Sequence, residues 1–93
     1  MEGRASEKIT GGKLVRLQLE YTSLINKAII TGDFFLHPED KLECIEQCLR
    51  NLPLTLSEEE FQKQIEKTVQ QENILMVGIT PDAIARLVKK AIQ

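Results

Sequence analysis

The clearest pattern in the chain is an alternation of apolar and polar residues in the segment KLVRLQLEY. Its apolar positions are two residues apart: Val15, Leu17, Leu19 and Tyr21. A period of two predicts a β-strand with one face toward solvent. After a short connection, INKAIIT at 25–31 predicts a second, antiparallel strand. Adjacent Ile29 and Ile30 break its alternation, so we expect cover on both faces near its end.

Three later segments carry apolar residues at helical spacing. The first runs from Pro38, a residue suited to a first helical turn, to about Arg50. The second begins with a capping box of Ser57 and Glu60, and the third begins at Thr80-Pro81-Asp82. The apolar link at 75–77 is a candidate third strand. The order predicts an α+β fold, with a two- or three-stranded antiparallel sheet at the N-terminal side packed against three helices.

The length of 93 residues leaves room for one domain. Residues 1–9 are polar and show no periodicity, so we expect a flexible N-terminal tail. The folded domain then covers 10–93 and opens with Gly11-Gly12.

Charge and composition argue against two classes of partner. The net charge is −2, the basic residues are scattered, and four aromatic residues offer little for stacking bases, so we expect no nucleic acid. No apolar stretch approaches the ~20 residues that span a bilayer, so we expect no membrane. The N-terminus has no apolar signal region, and we therefore expect a cytoplasmic location.

Catalytic or metal-binding groups are sparse. Cys44 and Cys48 lie four apart in one predicted helix, where their Cβ vectors are poorly aimed for a disulfide, so we expect reduced thiols. His37 is the one histidine, and packing roles for it and for the cysteines are favoured over a Cys–His nucleophile. These three side chains make a poor zinc ligand set, and no phosphate-binding loop is present. We expect neither catalytic residues nor a metal site in this chain.

Three stretches resemble the small accessory domain of lipoate-protein ligases. They are GGKLVRLQLE, IITGDFFLHPED and VGITPDAIARLVKKAI, and together the resemblance runs from Gly11 to Gln93. The Gly-Asp-Phe-Phe turn, placed after two strands and before a Pro-Glu helix start, is its most specific part. We expect no large domain before this one, and on that expectation the chain resembles the small subunit of a bipartite lipoate-protein ligase.

The resemblance implies a role in a larger enzyme. Such a holoenzyme uses ATP to convert lipoate to lipoyl-AMP, then transfers lipoyl to a lysine of an acceptor protein. ATP, Mg and lipoate would be bound by the large catalytic subunit, with no cofactor bound by this chain alone. The expected partner is that subunit, in a heterodimer. Indirect partners would be the lipoyl domains of 2-oxoacid dehydrogenases and the glycine cleavage H protein. The small subunit would be required for activation, closing over the active site and excluding water.

The resemblance also suggests site residues. The expected partner interface or lid is the turn formed by Gly32, Asp33, Phe34, Phe35, His37 and Pro38. Gly12 and Lys13 are candidates for a position near the adenylate. At the turn, either Asp33 contacts the large subunit while one ring anchors the turn, or Asp33 caps local amides and both rings are core. Lys13 is either near the phosphates or a solvated lysine at a strand end.

A different class of function stays open. Sulfur-transfer and iron–sulfur scaffold adaptors of the SufE and NifU type have a comparable order of strands and helices. Their working cysteine lies on an exposed loop, where the thiolate is accessible. The placement of Cys44 and Cys48 inside a predicted helix counts against this alternative. A protein-binding domain with another partner is the third hypothesis.

Overall fold

The computed structural model describes residues 1–9 and 13–92. The elements in chain order are β1 (Glu2–Ile9), β2 (Lys13–Tyr21), β3 (Ile25–Gly32), β4 (Phe35–His37), a 3-10 turn (Glu39–Lys41), α1 (Leu42–Leu49), α2 (Glu58–Gln71), β5 (Leu75–Val77) and α3 (Pro81–Ala91). Strands β1, β2 and β3 form one antiparallel sheet in that order. Strands β4 and β5 form a separate antiparallel ribbon.

The helices pack on one face of the three-stranded sheet. Helix α3 contacts β1 and β2, α1 contacts β3, and α2 contacts both other helices. The core between them includes Val15, Leu17 and Leu19 of the sheet and Phe61, Ile65, Leu87 and Val88 of the helices, all at most 2% exposed. The predicted α+β fold with an N-terminal sheet and three helices is confirmed.

The predicted flexible tail at 1–9 is wrong, because residues 2–9 form strand β1. The strand pairs with β2 from Glu2 opposite Glu20 to Ile9 opposite Lys13. Its partly buried positions alternate as in any half-buried strand, but they are Gly3, Ala5, Glu7 and Ile9. Because the inner face includes small and charged residues, its hydropathy differs little from that of the outer face. The alternation of buried and exposed positions therefore cannot be recognised in the sequence.

Gly3 is on the inner face because α3 ends directly above it. A Cβ built on Gly3 would lie 1.8 Å from the carbonyl oxygen of Ala91. No side chain fits at that distance, so glycine sets how closely the end of α3 approaches β1.

Glu7, nearer the other end of β1, holds the strand to α3 through ion pairs. Its Oε2 accepts from Arg86 Nη2 at 2.6 Å, and its Oε1 accepts from Lys90 Nζ at 3.1 Å. Arg86 also donates to Asp82 at 3.0 Å. The hydrogen bond from Arg86 is the main reason that the pKa of Glu7 lies below its ordinary value, and the bond from Lys90 adds to it against partial burial.

The predicted helix starts are mostly confirmed. Ser57 and Glu60 form the capping box of α2, and Thr80 caps α3 with Pro81 in its first turn. Pro38, which follows a cis peptide bond, caps the 3-10 turn and so lies just before the first helical turn, not inside it.

Two details of the sheet differ from expectation. The third strand of the sheet is β1, whereas the candidate strand at 75–77 forms and pairs with β4. Ile30 is buried, but Ile29 is 37% exposed, because no element within 1–9 and 13–92 covers the outer face of the sheet. The expected cover on both faces is therefore wrong. In the described part of the chain, no helix has the length and apolar character needed to cross a membrane.

We predict that Gly3→Ala lowers the free energy of unfolding by about 1–3 kcal/mol, because the new methyl group forces α3 away from β1. Chemical denaturation checks the change. Glu2→Ala, at the exposed neighbouring position, is the matched control and is expected to change stability by less than about 0.5 kcal/mol. A Gly3→Ala protein as stable as the parent would contradict the close packing at this position.

We predict that Glu7→Gln lowers the free energy of unfolding by about 1–3 kcal/mol at pH 7, because Arg86 loses its charged hydrogen-bond acceptor. The pKa of Glu7 is lowered in the folded state, so its stabilisation is present above the ordinary value of 4.5 and is lost as the pH falls through the folded value. The stability difference between the parent and Glu7→Gln should therefore shrink below about pH 4.5. Denaturation curves from pH 3 to pH 7 measure it, with Glu2→Gln as the control. A difference independent of pH would contradict the ion pair.

Candidate protein-binding site

The turn after β3 is held against the start of β2. Gly32 has φ +149°, and a Cβ at this residue would lie 2.1 Å from the carbonyl oxygen of Leu14. The next amide, that of Asp33, donates to the same oxygen at 2.8 Å. Gly32 is therefore required at this position, and the chain leaves the sheet there in a fixed direction.

The two adjacent rings of the turn separate at this point. Phe34 is partly buried and packs against the core, whereas Phe35 is 57% exposed. The carboxylate of Asp33 is exposed and accepts no hydrogen bond from residues 1–9 or 13–92. The hypothesis that Asp33 caps local amides while both rings are core is therefore wrong, and one ring anchors the turn.

Phe35 belongs to an exposed apolar surface on the ribbon. In the register of β4 and β5, Phe35 lies opposite Val77 and His37 lies opposite Leu75. Leu36 between them is buried, so the four flanking side chains share the outer face. Leu75 is 62% and Val77 is 53% exposed. We call Phe35, Leu75 and Val77 the ribbon patch.

Lys13 lies beside the same turn. A Cβ on Gly78, which has φ +79°, would be 3.0 Å from Cγ of Lys13 and 3.6 Å from Cα of Phe34. Gly78 thus leaves room for the stem of Lys13 between β2 and the end of β5. The structure brings Lys13 and the turn at 32–38 together, as one region of the surface. Gly12 lies outside the described residues.

A shallow groove of about 370 Å³ runs along the turn. Its lining includes Thr31, Gly32, Phe34, Phe35, Glu39 and Leu42. Phe34 and Phe35 both line it, so the groove joins the core anchor of the turn to the ribbon patch. An adjoining protein surface could fill the groove with one or two apolar side chains.

The cysteines are poorly placed for sulfur chemistry. Both lie on α1, are partly buried and are free thiols. Burial raises the pKa of the Cys48 thiol, which disfavours the reactive thiolate. Sγ of Cys44 lies 3.9 Å from Oε1 of Glu72, which also binds Lys41. Among residues 1–9 and 13–92, no three metal-ligating side chains are grouped.

Leu75 and Val77 were not predicted as site residues. Their segment gave only a short apolar run, and a run of three does not show which residues face outward. The alternation can be recognised only when β5 pairs with β4, whose last residue, His37, precedes Leu75 by 38 positions.

The chain matches no protein-family model. No curated relative matches it either.

Comparison with solved structures finds a similar fold over nearly the whole chain. The similar structure is described as an archaeal lipoylation system from Thermoplasma acidophilum, a bi-partite lipoate protein ligase and its E2 lipoyl domain. One of its chains is similar to this chain with a TM-score of 0.72 and 24% identity, over 95% of this chain and 97% of that chain. The two chains are therefore of nearly equal length. The resemblance read from the sequence motifs is confirmed at the level of the fold.

Proposed function

We propose that this chain is the accessory subunit of a bipartite lipoate-protein ligase. Together with a large catalytic subunit, it supports the ATP-dependent conversion of lipoate to lipoyl-AMP, before lipoyl is transferred to a lysine of an acceptor protein. ATP, Mg²⁺ and lipoate are bound by the large subunit in this proposal. The contribution of this chain is a surface that closes over the active site.

One observation carries the proposal. The Gly-Asp-Phe-Phe turn, the most specific part of the sequence resemblance, presents Phe35 at 57% exposure beside two further exposed apolar side chains of the ribbon. Exposed apolar side chains grouped on one surface are typical of protein-binding sites. The fold shared over 95% of this chain with a chain of a bi-partite lipoate protein ligase system supports the same partner class.

The chemistry of activation gives a physical reason for such a subunit. Lipoyl-AMP is a mixed anhydride that water hydrolyses, so the reaction benefits from a surface that excludes water during activation and later withdraws. A rigid domain can close in this way without supplying any catalytic side chain. The ribbon patch and the adjoining groove supply apolar surface that can be buried on closure.

Reconstitution tests the proposal directly. We predict that this chain stimulates lipoate-dependent ATP–pyrophosphate exchange by a large subunit that lacks an accessory domain. Phe35→Ser and Val77→Ser are each expected to raise the half-saturating concentration of this chain at least about tenfold, because they remove buried apolar contact.

Leu24→Ser is the matched control. Leu24 is also exposed, at 37%, but it lies in the connection between β2 and β3. That connection is at the end of these two strands opposite to the turn at 32–38. Leu24→Ser should leave the half-saturating concentration within about twofold. Exchange that stays at the level of the large subunit alone would overturn the proposed function. Equal effects of Leu24→Ser and Phe35→Ser would contradict the proposal that the ribbon patch contacts the large subunit.

We predict that Asp33→Ala weakens activation more than transfer from preformed lipoyl-AMP. Its carboxylate is exposed and accepts no hydrogen bond from the described residues, so it is available to a basic group of the large subunit during closure. A loss of about threefold to tenfold in exchange is expected. Asp40→Ala, at an exposed acid in the following 3-10 turn, is the control. Equal losses in both steps would argue against a role in closure.

A further inference from the structure

The outer face of the three-stranded sheet carries a group of cationic and hydrogen-bonding side chains. Arg16 lies in register between Ser6 of β1 and Thr31 of β3. In the next row, Gln18 lies between Arg4 and Ile29. Arg4 and Arg16 are therefore diagonal neighbours on one face. We call Arg4, Ser6, Arg16, Gln18 and Thr31 the basic sheet face.

The two guanidinium groups have no carboxylate partner in the described structure. The ion pairs found within 1–9 and 13–92 involve Lys41, Arg86 and Lys90, and neither Arg4 nor Arg16. In the amide orientation that satisfies both groups, Gln18 accepts from Arg4 Nε and Nη2 at 3.3 and 3.2 Å. Gln18 thus orients Arg4 without neutralising it. In a chain whose net charge is −2, these five positions carry two positive charges and no negative one. The next row of the same outer face holds Glu2, Glu20 and Lys27, so the positive charge is concentrated at Arg4 and Arg16.

The basic sheet face continues into the candidate protein-binding site. A groove of about 400 Å³ on the sheet is lined by Arg4, Ser6, Arg16, Gln18, Ile29 and Thr31. Thr31 also lines the groove beside the turn. A partner lying along the turn therefore meets the sheet groove next, without crossing any intervening element.

The area needed for a stable complex points the same way. A standard interface buries about 800 Å² on each partner, roughly a seventh of the 5590 Å² surface described for this chain. Three exposed side chains of the ribbon patch cannot supply that area. The interface must extend, and the uncovered outer face of the sheet adjoins it through Thr31.

We propose that the interface with the large catalytic subunit extends from the ribbon patch across the basic sheet face, and that the large subunit covers this face with an acidic surface. The inference rests on the proposed function and adds the charge of the partner surface. Among the side chains of a protein partner, carboxylates pair bidentately with guanidinium, and Ser6 and Thr31 can donate hydrogen bonds to the same oxygens. Apolar contacts at the ribbon patch supply affinity that does not depend on salt, while the charges speed association, fix orientation and add affinity at low salt.

The test is the salt dependence of the complex between this chain and the large subunit. Dissociation constants are measured by calorimetry at 50 mM and 500 mM NaCl. The double variant Arg4→Gln and Arg16→Gln should raise the dissociation constant at least about tenfold at low salt. The difference should fall below about threefold at high salt, where charges are screened within about 3–5 Å.

The matched control is Lys63→Gln with Lys67→Gln. Both lysines are exposed on α2, in the helical layer, and the pair changes the net charge by the same amount. We expect its dissociation constants to follow those of the parent within about twofold at both salt concentrations. Unfolding curves of both double variants exclude loss of the fold as the cause.

Each remaining outcome has a definite meaning. A complex that forms with parental affinity and salt dependence in the arginine variant overturns the inference and leaves the proposed function in place. No complex with the parental chain overturns both. Sedimentation of this chain alone supplies the third outcome: a dimer that the arginine substitutions dissociate would assign the face to a second copy, against the inference.

Discussion

At Gly32 the backbone passes so close to the carbonyl oxygen of Leu14 that a Cβ would lie 2.1 Å from it. This contact ends the pairing of β3 with β2 and directs the chain out of the sheet into the ribbon. The amide of Asp33 then donates to the same oxygen, so the direction is fixed by the close approach of Gly32 and by this hydrogen bond. The chain reaches the pairing of β4 with β5 from that direction, and this pairing places Phe34 toward the core and Phe35 toward solvent.

Much of the fold could be predicted because its signals are local. The alternation from Val15 to Tyr21 defines β2, and the Ser57–Glu60 capping box locates the start of α2 to the residue. Strand β1 could not be predicted, because two residues on its inner face, Gly3 and Glu7, are explained by contacts with α3 and not by an apolar pattern. Gly3 admits the end of α3, and Glu7 pairs with Arg86, 79 residues away in sequence. Such long-range contacts leave no periodic hydropathy in the strand itself.

The candidate site was predicted in part for the same reason. The residue types at 32–38 predict the turn. That one ring anchors the turn is among the hypotheses drawn from the sequence. Which ring is buried depends on the register of β4 against β5, a pairing that the local sequence does not encode. The same register adds Leu75 and Val77 to the surface. Lys13 joins the site because Gly78 leaves room for its stem, which again depends on a distant part of the chain.

One-sided packing leaves this small domain with a large uncovered surface. Helices α1 and α3 pack on the inner face of the sheet and α2 packs on them, so β1, β2 and β3 contribute their outer face to the surface. An isolated domain keeps such a face soluble with polar side chains, and Arg4, Arg16, Ser6 and Thr31 serve that purpose here. On the ribbon, by contrast, exposed positions are occupied by apolar side chains. Phe35 is one of them, and it lies beside the polar face of the sheet. Burial stabilises a contact between apolar surfaces, and a charged surface is stabilised by a partner of opposite charge. The proposed interface would therefore discriminate between partners by both shape and charge.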